Sequence, residues 1–290
     1  MASAELRQIR RRIRSVQSTM KITRAMELIA TSRIAKARLR VAEAMPYTAK
    51  MTDVIRNIAA AGGLSHPLLE KREMQTPGVM VVTSDRGLAG GYNSNVMRLA
   101  ERVLNDHRAN GFNPRLFVVG AKAQSYFGYR GYEIEETFLG VTDTPTYGDA
   151  RAIANVLLDD YEQQKMDTLE VYTTRFVSAL TQTPVLWPLL PIEPPEASED
   201  TEIAGYTFEP GPEEILGRLL PRYLEGTIFG ILLEASASEH AARRRAMKAA
   251  TENAEELTNA LSREANAARQ AEITTEISEI VGGAEALSSG

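Results

Sequence analysis

A chain of 290 residues with a net charge of −5 and ordinary apolar and charged fractions is neither disordered nor collagen-like, and its length allows for two domains. It has no cysteine, which excludes disulfides and thiolate metal sites. No apolar run approaches the ~18 residues of a membrane span, and the charged start Met1-Ala-Ser-Ala-Glu-Leu-Arg7 lacks the apolar core of a signal peptide.

Charge is polarised along the chain. Residues 1–50 carry twelve Lys or Arg against three Glu, a local charge of +9, whereas residues 251–290 carry eight Glu against Arg263 and Arg269, a local charge of −6. The two ends are electrostatically complementary.

From Leu6 to Ile58, apolar residues recur in alternating steps of three and four, interrupted only by Thr23, Glu27 and Thr48. A pattern sustained this long predicts a helix over residues 1–60 with a coiled-coil seam. Pro46 is expected to bend it, and Gly62-Gly63 with His66-Pro67 to end it. Residues 75–195 change character. Strands are expected at Val79–Thr83, Arg115–Gly120, Tyr132–Glu136 and Leu169–Val177, with helices at Ser94–His107, Ala121–Tyr129 and Ala150–Gln164. Strand and helix in alternation predict a mostly parallel α/β domain, with Pro184–Pro195 an edge or irregular segment.

Residues 196–211 read as an acidic linker, and 212–290 as a second long helix opened by Pro212, Glu213 and Glu214. Pro221 and the glycines near it make its first third the weakest part. Met247, Ala250, Ala254, Leu257 and Leu261 form one stripe, while Ile273, Ile277, Ile280, Ala284 and Leu287 form another, out of phase with the first. A partner helix can follow the first stripe; the tip beyond Arg269 needs a different neighbour. The expected fold is therefore α/β with long terminal helices: an antiparallel coiled coil of N- and C-terminal helices plus a central Rossmann-like α/β domain. With equal rise per residue, paired positions sum to roughly 271. This register sets Leu6 beside Ala265 and Glu27 opposite Arg243-Arg244-Arg245, so an ion pair of Glu27 with Arg244 is expected to fix it.

Reactive groups are sparse. The turn Ser84-Asp-Arg-Gly-Leu-Ala-Gly-Gly91 lies where an α/β domain would hold a phosphate, but it fits neither G-x-G-x-x-G nor a Gly-Lys-Ser/Thr loop. Its glycines read as a packing requirement. His66, His107 and His240 have no ligand spacing, and no nucleophile motif occurs, so no catalytic, cofactor-binding or metal residues are assigned. The basic run Arg10-Arg11-Arg12-Ile13-Arg14 lacks the stacking aromatics of a nucleic-acid surface and reads as a solvated face or a seat for an acidic partner.

Three separated motifs together carry a likeness. Ile273-Thr-Thr-Glu-Ile-Ser-Glu-Ile-Val-Gly-Gly-Ala-Glu-Ala286, Lys21-Ile-Thr-Arg-Ala-Met-Glu-Leu-Ile-Ala30 and the Ser84–Gly91 turn resemble, in order and over the full length, the gamma-subunit family of F-type, proton-translocating ATP synthases of bacterial type. Ala89 stands where many members have Cys.

The resemblance implies a central-stalk rotor shaft without catalytic residues of its own. It would couple proton-driven rotation of the membrane ring to conformational cycling of beta-subunit sites. Implied partners are three alpha and three beta subunits, an epsilon subunit and the c-ring, with no nucleic acid. MgATP and MgADP would sit on beta and alpha. The implied place is the cytoplasmic face of the cell membrane, as a peripheral subunit. By motif, Met26, Arg269 and Gln270 would contact beta; Tyr206 and Phe208 would form the foot against epsilon or the c-ring. The sparsely charged tip, with Ile277, Ile280 and Leu287, would turn in a bearing. Two rivals belong to another class: an enzyme with a long helical hairpin arm of the tRNA-ligase kind, and a nucleotide-binding protein using the Gly87–Gly91 turn.

Overall fold

The computed structural model describes residues 2–60, 66–193 and 211–288. Two long helices bracket the chain, α1 (Ala2–Ala60) and α5 (Pro212–Ser288). Between them lie β1 (Pro77–Val82), α2 (Tyr92–Ala109), β2 (Arg115–Val119), α3 (Ala121–Tyr129), β3 (Glu136–Phe138), α4 (Tyr147–Glu162), β4 (Thr168–Phe176) and β5 (Gln182–Leu190). The chain divides into two compact units, Met1–Ile29 with Arg244–Gly290, and Ala30–Arg243.

In the larger unit the strand order is β3-β2-β1-β4-β5; the first four strands are parallel and β5 is antiparallel to β4. β1 is buried at every position, as a central parallel strand covered on both faces must be. Its side chains alternate between two cores. Val79 and Val81 join α2 and α3 through Val96, Leu104, Ala123 and Phe127. Met80 and Val82 face α4 and the feet of the long helices, through Ile153, Leu157, Ile55, Ile58, Leu220 and Ile228.

The seam of α1 is as expected: every position of the three-four series from Leu6 to Ile58 is buried or half-buried. α1 continues through Pro46, and α5 through Pro221, Gly226 and Gly230. Helix propensity there is outweighed by burial of Leu216, Leu220, Leu224 and Ile228, spaced at four. Several sequence boundaries move: β1 starts two residues early, at Pro77, and α4 three residues early, at Tyr147. The third strand lies at Glu136–Phe138 because Tyr132 and Ile134 are spent packing against the α2–α3 core before pairing begins. The segment read as edge or irregular is strand β5, which tolerates Pro184 and Pro188 because it is an edge. α2 starts two residues earlier than expected, at Tyr92.

Gly120, between β2 and α3, has φ +94°, and a Cβ there would lie 2.5 Å from the Thr83 carbonyl oxygen. Gly120→Ala is expected to destabilise the chain by about 2–3 kcal/mol, since neither the backbone angle nor the neighbouring strand can yield cheaply. Urea unfolding of the full chain checks it; an unchanged midpoint contradicts it.

Candidate functional site

Open α/β sheets take their ligands beyond the carboxyl ends of the strands, where the strand order reverses. Here the reversal is at β1, flanked by β2 and β4. That crevice is filled by the chain's own α5, from Glu234 to Arg243. Tyr92 Oη donates to the Ala235 carbonyl (3.2 Å), Ser236 Oγ to the Asp143 carbonyl (3.2 Å) and Ser238 Oγ to the Thr174 carbonyl (3.0 Å). Ala89, Tyr92 and Ala242 form an apolar contact beside them. The small side chains of the run Ala235-Ser-Ala-Ser238 and Ala241-Ala242 let the helix axis come close to the strand ends.

The Ser84–Gly91 turn grips this helix. Arg243 donates to the Gly87 carbonyl from Nε (3.3 Å) and Nη2 (3.2 Å), and Nη2 lies 3.5 Å from the Arg86 carbonyl oxygen. The Asp85 carboxylate accepts from Ala121 N (3.1 Å), Gly140 N (3.1 Å) and Thr142 Oγ1 (2.9 Å), tying the loop after β1 to α3 and to the loop after β3. Gly90 holds φ +57° in the turn. A carboxylate and two outward carbonyls replace the ring of N–H donors that an anion needs.

Beneath the turn, Arg243 pairs with Glu239 at 2.6 Å, both nearly inaccessible to solvent. On the other side, Arg33 of α1 pairs with the Asp143 carboxylate through both of its oxygens. Asp143, Glu239 and His240 bring potential metal-ligand atoms within 4.8 Å of one another. Both carboxylates, however, already face guanidinium groups, so a cation would enter a site whose charge is balanced. Burial, only partly offset by Arg243, raises the pKa of Glu239. Burial also works to raise that of Asp143, but Arg33, His240 and Arg86 outweigh it and hold the group below its ordinary value. Burial pushes His240 down to about 4, with Asp143 opposing and Arg243 and Arg33 assisting. The neutral ring fits its partners: Arg243 Nη1 lies 3.5 Å from Nδ1, and Nε2 lies 3.4 Å from the Asp143 carbonyl oxygen.

In the smaller unit the two helices run antiparallel. Leu6 and Ile9 cluster with Leu261 and Ala265, as the expected register requires, and the Thr23 and Thr251 hydroxyls share a buried hydrogen bond of 2.7 Å. Met247, Ala254 and Leu261 of the first α5 stripe are buried, but Leu257 is exposed. Glu27 and Arg244 are both half-buried; Arg243, expected beside Glu27, is instead taken up by Glu239 and the Gly87 carbonyl. Met26 is half-buried, and Arg269 and Gln270 are exposed. Ile277, Ile280 and Leu287 are 56%, 71% and 87% exposed, an apolar stripe left uncovered among the described residues. Tyr206 and Phe208 lie outside the described residues.

Sequence reading did not find the seat of α5. Its signal was the alternation of Ala and Ser over residues 235–238, which reads equally well as helix-forming filler.

Comparison with known proteins gives a consistent result. The ATP synthase family model matches residues 5–287. The chain is 49% identical to the ATP synthase gamma chain of Frankia casuarinae over 99% of each chain. In fold it is similar to a chain of the Euglena gracilis mitochondrial ATP synthase rotor in rotational state 1, with a TM-score of 0.68, 16% identity and coverage of 93% of this chain and 99% of that one. It is also similar to a chain of the Euglena gracilis assembly of OSCP, F1 and c-ring in rotational state 3, with a TM-score of 0.71, 16% identity and coverage of 99% and 96%.

Proposed function

Since the chain belongs to the ATP synthase gamma-chain family, we infer that it is the central-stalk rotor of an F-type ATP synthase. It couples proton-driven rotation of the membrane ring to the catalytic cycle of the beta subunits. The observation that carries this reading is the pairing of two terminal helices around one seam, ending in an apolar stripe that is bare among the described residues.

The mechanism needs shape and charge, and no reactive group from this chain. A threefold ring of alpha and beta subunits surrounds one shaft whose faces differ, so three identical beta subunits meet three different surfaces. Each is biased toward a different conformation and nucleotide affinity, and turning the shaft passes those states around the ring. MgATP and MgADP occupy beta and alpha, while this chain is the non-catalytic subunit. In this reading Arg269 and Gln270 meet a beta loop, and Met26 with its basic neighbours meets an acidic beta lever; the exposure of Arg269 and Gln270 on α5 supports the first contact. Tyr206 and Phe208 belong to the foot that meets epsilon or the c-ring. The position is peripheral, at the cytoplasmic face of the cell membrane; no helix among the described residues is long and apolar enough to cross a membrane.

Glu27 and Arg244 form the register ion pair in this reading. The Thr23–Thr251 contact supports it, because an antiparallel register through that pair places Glu27 opposite Met247, one helical turn from Arg244.

The bare tip stripe suits a bearing: apolar contact without directional bonds lets a surface slip past three successive neighbours. Ile280→Arg is expected to slow ATP turnover of the assembled enzyme about tenfold, as an introduced charge must be desolvated or pinned. Unchanged turnover contradicts the bearing. The reading as a whole is tested by placing an affinity tag after Asp200 and purifying from membranes. Alpha and beta subunits in threefold excess are expected; recovery of the chain without them overturns it.

A further inference from the structure

α1 and α5 reach the sheet of the larger unit by different routes. α5 is held by the run of bonds from Tyr92 to Arg243 described above. α1 sends Ile55 and Ile58 into the core and Arg33 to Asp143. Apolar helix contacts resist separation far better than sliding, because ridges and grooves re-engage one turn along. Directional charged bonds are what fix a sliding coordinate.

Asp143 meets both helices. Its carboxylate takes the Arg33 guanidinium from α1, and its main-chain carbonyl accepts from Ser236 Oγ of α5 (3.2 Å) and lies 3.4 Å from His240 Nε2. The residue is backed by the sheet. Its neighbour Thr142 donates to the Asp85 carboxylate (2.9 Å) and, through its Oγ1, accepts from Asp85 N (3.1 Å), and Asp85 in turn accepts from Ala121 N. A continuous hydrogen-bonded path therefore links both helices to the ends of β1 and β2. Arg33, Lys36, Arg40 and Asp143 line one cleft of about 270 Å³ with Ser236 and His240, and Asp143 is the one acid among these described lining residues.

We propose that Asp143 is a positioning residue for torque: through Arg33 and Ser236 it keys α1 and α5 to the α/β sheet, so that the two helices and the sheet turn without slipping. The proposal rests on the rotor reading and adds to it the residue at which the two helices are locked together. The Arg33–Asp143 pair supplies the lock to α1; the Asp143 carbonyl, which needs no particular side chain, supplies the lock to α5.

The test uses the assembled enzyme in inverted membrane vesicles, measuring ATP hydrolysis, proton pumping per ATP hydrolysed, and subunit content. Asp143→Asn keeps size and carbonyl but removes the charge, and Arg33→Asp with Asp143→Arg reverses the pair. Asp143→Asn is expected to leave hydrolysis within about twofold and to lower pumping per ATP about fivefold, the lower end of measured coupling energies. The reversed pair is expected to restore pumping, where Arg33→Asp alone does not. Unchanged pumping per ATP in Asp143→Asn overturns the proposal. A parallel fall of both activities that pair reversal does not repair also overturns it, because that marks a merely structural residue. Failure of the rotor reading looks different: the unmodified chain would then be absent from the vesicles' alpha and beta complexes.

Discussion

Arg243→Ala is expected to destabilise the chain by about 3–5 kcal/mol, the cost of leaving one partner of a buried ion pair behind. The guanidinium pairs with Glu239 at 2.6 Å and supplies hydrogens to the Gly87 carbonyl from two nitrogens. Without it the Glu239 carboxylate, already raised in pKa by burial and by Asp143 and Asp85, loses its cation, and its charged form is disfavoured further. The turn after β1 also loses the group that draws it onto α5. Arg243→Met combined with Glu239→Leu is expected to recover most of the loss, because a well-packed apolar pair replaces the charges without an orphan. Urea unfolding of the full chain measures both variants. A midpoint for Arg243→Ala equal to that of the unmodified chain would mean that the turn does not depend on the arginine.

His240 is expected to make stability depend on pH. Its folded pKa, about 4, lies below its ordinary 6.5, so between those values the unfolded chain binds the extra proton. Stability therefore falls as pH drops through this window and stops falling, from this cause, below about pH 4. At about 1.4 kcal/mol per pKa unit the loss is roughly 3 kcal/mol. His240→Gln can still donate to the Asp143 carbonyl but cannot take a charge, so the difference between the two unfolding curves isolates the ring. The prediction is a difference that grows from pH 6.5 to pH 4 in favour of the glutamine; parallel curves refute it.

The sequence made the seam of α1 legible because a coiled-coil period needs no knowledge of the partner. Each seam position from Leu6 to Ile58 faces something whatever helix lies opposite. The bare tip was legible for a related reason, the change of phase between Leu261 and Ile273. Arg243, Arg244 and Arg245 show where such reading stops. They are chemically identical, yet the first is buried, the second half-buried and the third exposed. About 100° of rotation per residue separates them, and which of them turns toward a loop depends on where β1, β3 and β4 end. The strand order determines that, and no local pattern encodes it. The Ser84–Gly91 turn stood out in the sequence, but the helix segment that it holds was not identified. That segment lies more than a hundred residues later, recognised through Ala and Ser positions that have little signature of their own.

The central claim is that this chain is an axle turned against a ring of catalytic subunits. The most direct measurement attaches a bead to a cysteine introduced near Asp200, in purified complexes of this chain with alpha and beta fixed to glass, and supplies MgATP. The expected result is continuous rotation in one direction with three dwell positions per turn, one for each beta subunit. A bead that stays still while the same complexes hydrolyse ATP at full rate would contradict the account.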